Sequence, residues 1–558
     1  MTGPGRNGRG FPTSFTGSAI WLAGRLGLRR GEGGSDEGHG NFSGLRTRSG
    51  RRRIRRRGEL GEEDDGGYEC FVTDDDDEED TDEDEEGRRN EDDNVGPSEG
   101  AGNCRLDECS IGQLIKHRSS ACEDSTKFGR VKPGKDVNAY AMLAGREINV
   151  SGNGKFSRAE RCHVSSKYLP TDGPTIVEQL HSRAYTGQFS ADGSLFVAGF
   201  QDQRIRIYNV DKNWALQKDV LARNLRWTVT ETALSPDQRF LVYASITPLV
   251  HLVNVGSESG GIESLANITD IHEGLDFAAG SREENTFGIW SLKFSHDGRE
   301  IVAGTSDKSI YVYDLEANKP TFRVVAHKDE VNAVAFADSS SHLIYSGSDD
   351  NNCKVWDRRC FAQKSRAVGV LEGHLEGITF IDSFGDGQYF ISNSKDQTIK
   401  LWDIRKMSSG PPTRVRPAKI PAFRWDYRWD DYPGRDKGLK HPYDQSVMTY
   451  KGHIVLRTLI RCYFSPMFST GQKYIYTGSH DGHVYIYDVL TGYRVARLSF
   501  HRGTVRDVSW HPTQPMLVSS SWDGYIAKWE HLHGERPSSA QVDTRSARLP
   551  MDDYFDSD

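Results

Sequence analysis

Aspartates and histidines recur along most of this chain at fixed distances from aromatic residues. An Asp stands six residues before an aromatic in six places: Asp202–Tyr208, Asp307–Tyr313, Asp350–Trp356, Asp396–Trp402, Asp481–Tyr487 and Asp523–Trp529. His327, His374, His453 and His501 precede four of these pairs. A His beside an Asp can move protons, but covalent catalysis also needs a nucleophile at a matching distance. None accompanies them at a constant spacing, and no phosphate-binding loop is present. The ten Asp and His residues therefore read as framework, hydrogen-bonded because buried polar groups need partners. The chain is read as no enzyme. Its eight cysteines form no C-x-x-C pair, so neither a metal nor a cofactor is expected.

A second pattern is better suited to binding. Two segments end in Trp-Asp-x-Arg: Trp356-Asp357-Arg358-Arg359 and Trp402-Asp403-Ile404-Arg405. A guanidinium is planar and always charged, and its donors match an acceptor on a partner. The alternative is a local salt bridge, which contributes little at a surface. A third copy, Trp425-Asp426-Tyr427-Arg428, lies in "AFRWDYRWDDYPGR" (Ala422–Arg435).

The elements that must hold these residues are strands. Each Asp opens a period-two run such as "TIKLWD" or "HVYIYD", with further short strands such as "YFISNS" and "VRDVSWH" upstream. A seventh unit, "SITPLVHLVNV", keeps the strand but has Thr247 and Val253 in place of the Asp and the aromatic. The aromatic positions 208, 253, 313, 356, 402, 487 and 529 recur near the WD-repeat period, with insertions in the long gaps. The fold class is thus all-β, a seven-bladed WD-repeat β-propeller over roughly 160–535. "HLHGERPSSAQ" is a poor strand, so the last blade should borrow its outer strand from within Arg161–Leu180.

Two insertions are expected, at 257–285 and at 406–449. The second is placed between the fifth and sixth blades. Prolines 411, 412, 417 and 421 exclude a blade there. Trp425, Tyr427 and Trp429 argue for order, either packed on the propeller wall or facing a partner. Loops after third strands share one face, so these aromatics are expected beside Arg405, opposite the His and Asp loops.

The termini differ in composition. Residues 1–57 carry a net charge of about +10, residues 58–100 about −20, and the rest of the chain is nearly neutral. "RTRSGRRRIRRRG" (Arg46–Gly58) suits a nuclear address, and "DDDDEEDTDEDEE" (Asp74–Glu86) cannot enter a core. Residues 1–104 and an acidic tail, 536–558, read as disordered, with a helical linker over 105–159. A neutral body argues against nucleic acid. No apolar run is long enough to span a membrane. Scattered thiols suit the cytosol or nucleus. Within the linker, Leu106, Ile111, Leu114 and Ile115 form one helical stripe, with Ser110 or Asp107 as its cap.

The Trp-Asp-x-Arg segments resemble the DWD box of the substrate receptors of cullin-4 RING ubiquitin ligases. That box wants apolar residues at its first, second and fifteenth positions, a small third and an acidic seventh. Residues 390–405, "FISNSKDQTIKLWDIR", fit throughout; residues 344–359, "IYSGSDDNNCKVWDRR", fit except for Arg358 at the fifteenth. The third copy fits only in its last four residues. Together with "WDYRW", "TLIRCYFSPMFSTGQKYIYTG" and "VRDVSWHP", the boxes make Tyr185–Trp529 similar to the family of WD-repeat protein 23, the eleventh of the cullin-4-associated receptors, and its plant relatives.

The resemblance implies a receptor in nucleus and cytoplasm that binds the damaged-DNA-binding adaptor protein and presents protein substrates for ubiquitination. The adaptor-binding set would be Arg359 and Arg405, with Trp402, Asp403, Trp356 and Asp357 around them. Arg405 would be the stronger contact, because Ile404 fits the fifteenth position. The helical stripe at 105–120 either enters the adaptor, as in such receptors, or packs on the propeller. The alternative function is a WD-repeat scaffold in chromatin or RNA processing.

Overall fold

The computed structural model describes residues 98–99, 110–119, 158–255, 272–279, 287–360, 366–408, 423, 425–434 and 438–531. The charged runs Arg46–Gly58 and Asp74–Glu86, Leu106 and the tail from 536 lie outside the described residues.

Seven antiparallel sheets of short strands make the seven blades. Blade 5 shows why such sequences form them. Its strands are Ile378–Ser383, Tyr389–Ser394, Thr398–Asp403 and Met448–Lys451, counted from the axis outward, with the short Ser98–Glu99 added at the outer edge. In the third strand Ile399 and Leu401 pack towards blade 6, against Tyr487. Trp402 faces the other way, into blade 4, with Tyr345 and Val355. Both sides of a middle strand are therefore covered, and its two alternating sets of side chains feed two different cores. Each core needs a neighbour, so no blade can bury its faces alone.

The ring closes with mixed termini. Blade 7 supplies Val505–Trp510, Met516–Ser521 and Tyr525–Glu530, and its outer strand is Asp172–Gln179, from the segment named above. Blade 2 ends in His272–Asp276, inside the first insertion. The second insertion lies within blade 5 and not between blades 5 and 6. Met448–Lys451, which starts in its last two residues, pairs with that blade's third strand.

Antiparallel order gives the propeller two faces. Loops after first and third strands emerge on one, here the arginine face. Loops after second and fourth strands emerge on the other, here the histidine face. On the histidine face the residue after each turn Asp is left-handed: Gln203, Lys308, Asn351, Gln397, Gly482 and Gly524 all have positive φ. Gly482 and Gly524 take that conformation without the cost a side chain brings.

The central channel is plugged. Arg461 of blade 6 pairs with Asp507 of blade 7 at 2.8 Å and with Glu231 of blade 2 at 3.1 Å. Blades 2 and 6 are not neighbours, so this pair spans the axis. Arg506 Nε donates to Thr458 Oγ1 at 3.2 Å, and its Nη2 to the Thr230 carbonyl at 3.3 Å. These charges are buried but partnered, the condition under which such groups are tolerated inside a protein.

Candidate functional site

The predicted framework residues come together in three of four cases. In blade 5 the Trp402 indole N–H donates to Ser392 Oγ at 2.7 Å. That hydroxyl reaches His374 Nε2 at 2.6 Å, and His374 Nδ1 reaches Asp396 at 2.9 Å. Blade 4 repeats the chain through Trp356, Ser346, His327 and Asp350. Blade 7 repeats it through Trp529, Ser519, His501 and Asp523. With the Nδ1–H of each His facing its Asp, every donor in the chain has an acceptor.

The serines are what sequence reasoning missed. Each stands ten residues before its Trp, at 346, 392 and 519. Asp, His and Ser here have the order of a hydrolytic triad. Yet all three serines are fully buried, and each already accepts the indole N–H. No substrate carbonyl can reach them, so the arrangement is structural. Burial alone would raise the Asp350 carboxyl, but hydrogen bonds from His327 and the Lys328 N–H outweigh it and hold it at about 2. Asp396 and Asp523 are likewise held below the usual carboxylate range against the effect of burial, with His374 and His501 the main opposing partners.

Blade 6 departs from expectation. His453 bonds Asn393 at 2.9 Å and meets the Tyr487 hydroxyl at 3.3 Å; it does not bond Asp481. Tyr487 replaces the Trp, and its phenol meets Nδ1, the ring nitrogen that faces the Asp in blades 4, 5 and 7. Asp481 instead accepts from the Tyr485 hydroxyl at 2.7 Å. Burial lowers His453 to about 4. In blades 1 and 3, Asp202 pairs with Arg206 and Asp307 with Arg323.

On the arginine face the two predicted arginines sit after the third strands of adjacent blades. Arg405 is held by Asp403: its N–H donates to Oδ1 at 3.0 Å and its Nη2 to Oδ2 at 2.7 Å. Arg359 and Asp357 repeat this at 3.0 and 2.7 Å. The side chains remain 59% and 64% exposed, so one edge of each fork is fixed while the other faces out. Trp402 and Trp356 are buried, which removes them from any contact surface; they position the loops from below. Asp403 is buried too and acts through Arg405.

The fifteenth box position has the same task in both copies. Ile404 packs against the blade 4 core. Arg358 reaches the Ser341 carbonyl at 3.0 Å and pairs with Glu300 of blade 3. Either side chain pins the loop, one by apolar packing and one by an ion pair.

Arg405 has further partners that Arg359 lacks. Its Nη2 also donates to Tyr389 Oη at 3.1 Å and to Ser110 Oγ at 2.9 Å. Ser110 opens helix α1, Ser110–Ser119, and its hydroxyl serves these contacts instead of capping the helix. Ile111 and Ile115 of α1 are buried in the core between blades 5 and 6. Leu114 is half-buried. The stripe packs on the propeller.

The aromatic stretch of the second insertion does not lie beside Arg405. Tyr427 stacks under the Lys395 ammonium at 4.0 Å, and its carbonyl accepts from the Arg457 N–H at 2.8 Å. Trp425 hydrogen-bonds Glu376. Lys395, Glu376 and Arg457 all belong to loops of the histidine face. The insertion leaves the arginine face after Arg405 and reaches the other face before returning to the outer strand. The expected placement is wrong because the exit of a loop does not fix where a long insertion goes, and Trp425 and Tyr427 find their partners on the histidine face. Trp429 is exposed.

Arg428 then shows how little the triplet's geometry says alone. Its N–H donates to Asp426 Oδ1 at 3.0 Å and its Nη2 to Oδ2 at 2.9 Å, and it is 63% exposed. This matches Arg405 on a loop with no blade behind it. Among the described residues no cluster could hold a metal ion, and no helix is long and apolar enough to cross a membrane.

Seven blades of four or five short strands, three of them carrying an Asp-His-Ser-Trp chain, define a WD-repeat propeller, and comparison with known proteins agrees. The WD domain, G-beta repeat, matches residues 365–403, 444–488 and 492–530, and the N-terminal domain of nucleolar protein 10-like proteins matches 215–373. The chain is 61% identical to the LEC14B homolog of Prunus armeniaca, covering 78% of this chain and 89% of that one. It is 60% identical to the LEC14B protein of Lithospermum erythrorhizon, over 75% and 88%. It is 35% identical to the DDB1- and CUL4-associated factor 11 homolog of Caenorhabditis elegans, over 77% and 74%. The chain belongs to this family of WD-repeat proteins, LEC14B and the DDB1- and CUL4-associated factor 11 homologs.

Proposed function

We propose that this protein is a substrate-receptor subunit of a cullin-4 RING ubiquitin ligase, present in nucleus and cytoplasm. It docks the damaged-DNA-binding adaptor through Arg405 and Arg359, and it performs no catalysis itself. One observation carries the reading. Two guanidinium groups, each fixed by its own Asp, project from adjacent blades on one face, and a relative is named for association with that adaptor and cullin. The plugged channel keeps the two faces separate, so a substrate on the histidine face would be held without disturbing the adaptor.

Purification of the tagged protein from its own cells tests this. The adaptor should co-purify in equal amount with the wild type and be depleted in the Arg359→Ala, Arg405→Ala double variant. Wild-type protein that brings down chromatin or RNA-processing factors and no adaptor would establish the scaffold reading instead.

A further inference from the structure

The two halves of the histidine face differ in character. The loops of blades 4 and 5, with the inserted stretch, present Asp329, Glu330, Glu376, Asp430 and Asp431, besides Asp349, which pairs with Lys395 at 2.8 Å. The loops of blades 7, 1 and 2 instead bring Arg183, Arg223, Arg226 and Arg502. Their two acids are already engaged: Asp202 pairs with Arg206 at 3.1 Å, and Asp523 with His501 at 3.1 Å.

The basic half is also aromatic. Tyr185 has Trp227 edge-on at 5.4 Å and Trp522 tilted at 5.6 Å. The Arg183 guanidinium lies over Trp522 at 4.8 Å and hydrogen-bonds Tyr185. Trp227 is 51% exposed and sits at φ +75°, a conformation bulky residues avoid. Its loop is held there deliberately. The Arg226 N–H donates to Ser245 Oγ at 2.8 Å, and the Arg223 N–H to the Tyr243 hydroxyl at 2.8 Å. Backbone strain of this kind gathers where a side chain must be presented. Rigid Trp and Arg side chains are the usual anchors of a protein interface.

We propose that this half of the face is a docking site for an extended segment of a partner protein that combines acidic and apolar side chains. The apolar side chain covers Trp227, which the buried Tyr185 backs edge-on. The carboxylates meet Arg183, Arg226 and Arg502, while the acidic half of the same face repels the segment and sets its direction. The site is separate from the arginine face, so it stands or falls independently of adaptor docking.

A random-peptide library displayed on phage, panned on the full chain, tests it. The recovered sequences should join Asp or Glu to Leu, Ile, Phe or Trp. A synthetic fluorescent copy should bind Trp227→Gly and Arg183→Ala at least about tenfold more weakly. Glycine accepts the positive φ, so Trp227→Gly removes the ring without straining the loop. The Arg359→Ala, Arg405→Ala variant should bind the peptide normally. Recovery of basic sequences, recovery of none, or equal affinity for wild type, Trp227→Gly and Arg183→Ala would overturn the proposal.

Discussion

Arg405 and Arg428 are held alike and stand on different faces. Each donates its own N–H and both sides of its fork to the Asp two residues before it. The triplet folds locally, because an Asp accepting from the N–H two residues on makes its own turn. What differs is the support. Arg405 stands on Trp402, buried at the blade 4–5 boundary, and touches Tyr389 and Ser110. Arg428 stands on a loop laid over the histidine face by Tyr427. A partner reads position and neighbours, so a motif of four residues carries function only where the fold places it.

The largest effect should come from removing the support. Trp402→Ala empties a core site and strands Ser392, and should cost about 3–5 kcal/mol in urea unfolding. Trp425→Ala, at the matching place in the third copy, should cost far less. Equal costs would mean the two triplets are supported alike.

Next comes the Asp beneath each box. Asp396→Ala leaves the His374 Nδ1–H and the Leu375 N–H without acceptors, for roughly 1–3 kcal/mol. Asp481→Ala should cost less, since its side chain is more exposed and no histidine hangs from it across the loops. A larger loss for Asp481→Ala would contradict the bonding described for blade 6.

Acid should separate the same blades. Asp350 is depressed to about 2, so its contribution is present above the ordinary carboxylate range, about 4, and is lost as pH falls towards 2. Asp396 and Asp523 follow the same sign. His453 loses its proton more readily in the fold, at about 4. The unfolded chain therefore takes up that proton first, and stability falls as pH drops from about 6.5 towards 4. A His453→Gln variant should show a smaller early loss, the remainder coming from His251, His327, His480 and His511, which burial also lowers, and keep the later one. Unchanged pH dependence of the melting temperature above pH 4 would refute the assignment.

These contrasts also mark what the sequence reveals. The blades were legible because a turn Asp and an aromatic six residues on repeat with strand alternation between them. The closing strand was legible from a shortage, a third strand at 525–530 with nothing suitable after it. The serines of the Asp-His-Ser-Trp chains carry an equally regular signal, ten residues before each Trp, but Ser is common in strands and the pattern appears only once its partners are known. The channel plug has no local signature, because Glu231, Arg461 and Asp507 meet only when the ring closes. The path of the insertion was illegible for the opposite reason. Its residues obey no repeat, and rules about loop exits say where it starts and not where it goes.

The smallest structural effects should attend the arginines themselves. Arg405→Ala and Arg428→Ala both trim exposed side chains and should leave the melting temperature essentially unchanged. That makes them a clean pair for the measurement that bears most directly on the whole account: the affinity of the purified full chain for the damaged-DNA-binding adaptor. Arg405→Ala should weaken binding about tenfold or more, Arg359→Ala somewhat less, and Arg428→Ala not at all. Full affinity in the Arg359→Ala, Arg405→Ala double variant, or a loss confined to Arg428→Ala, would contradict the assignment of the arginine face as the docking surface.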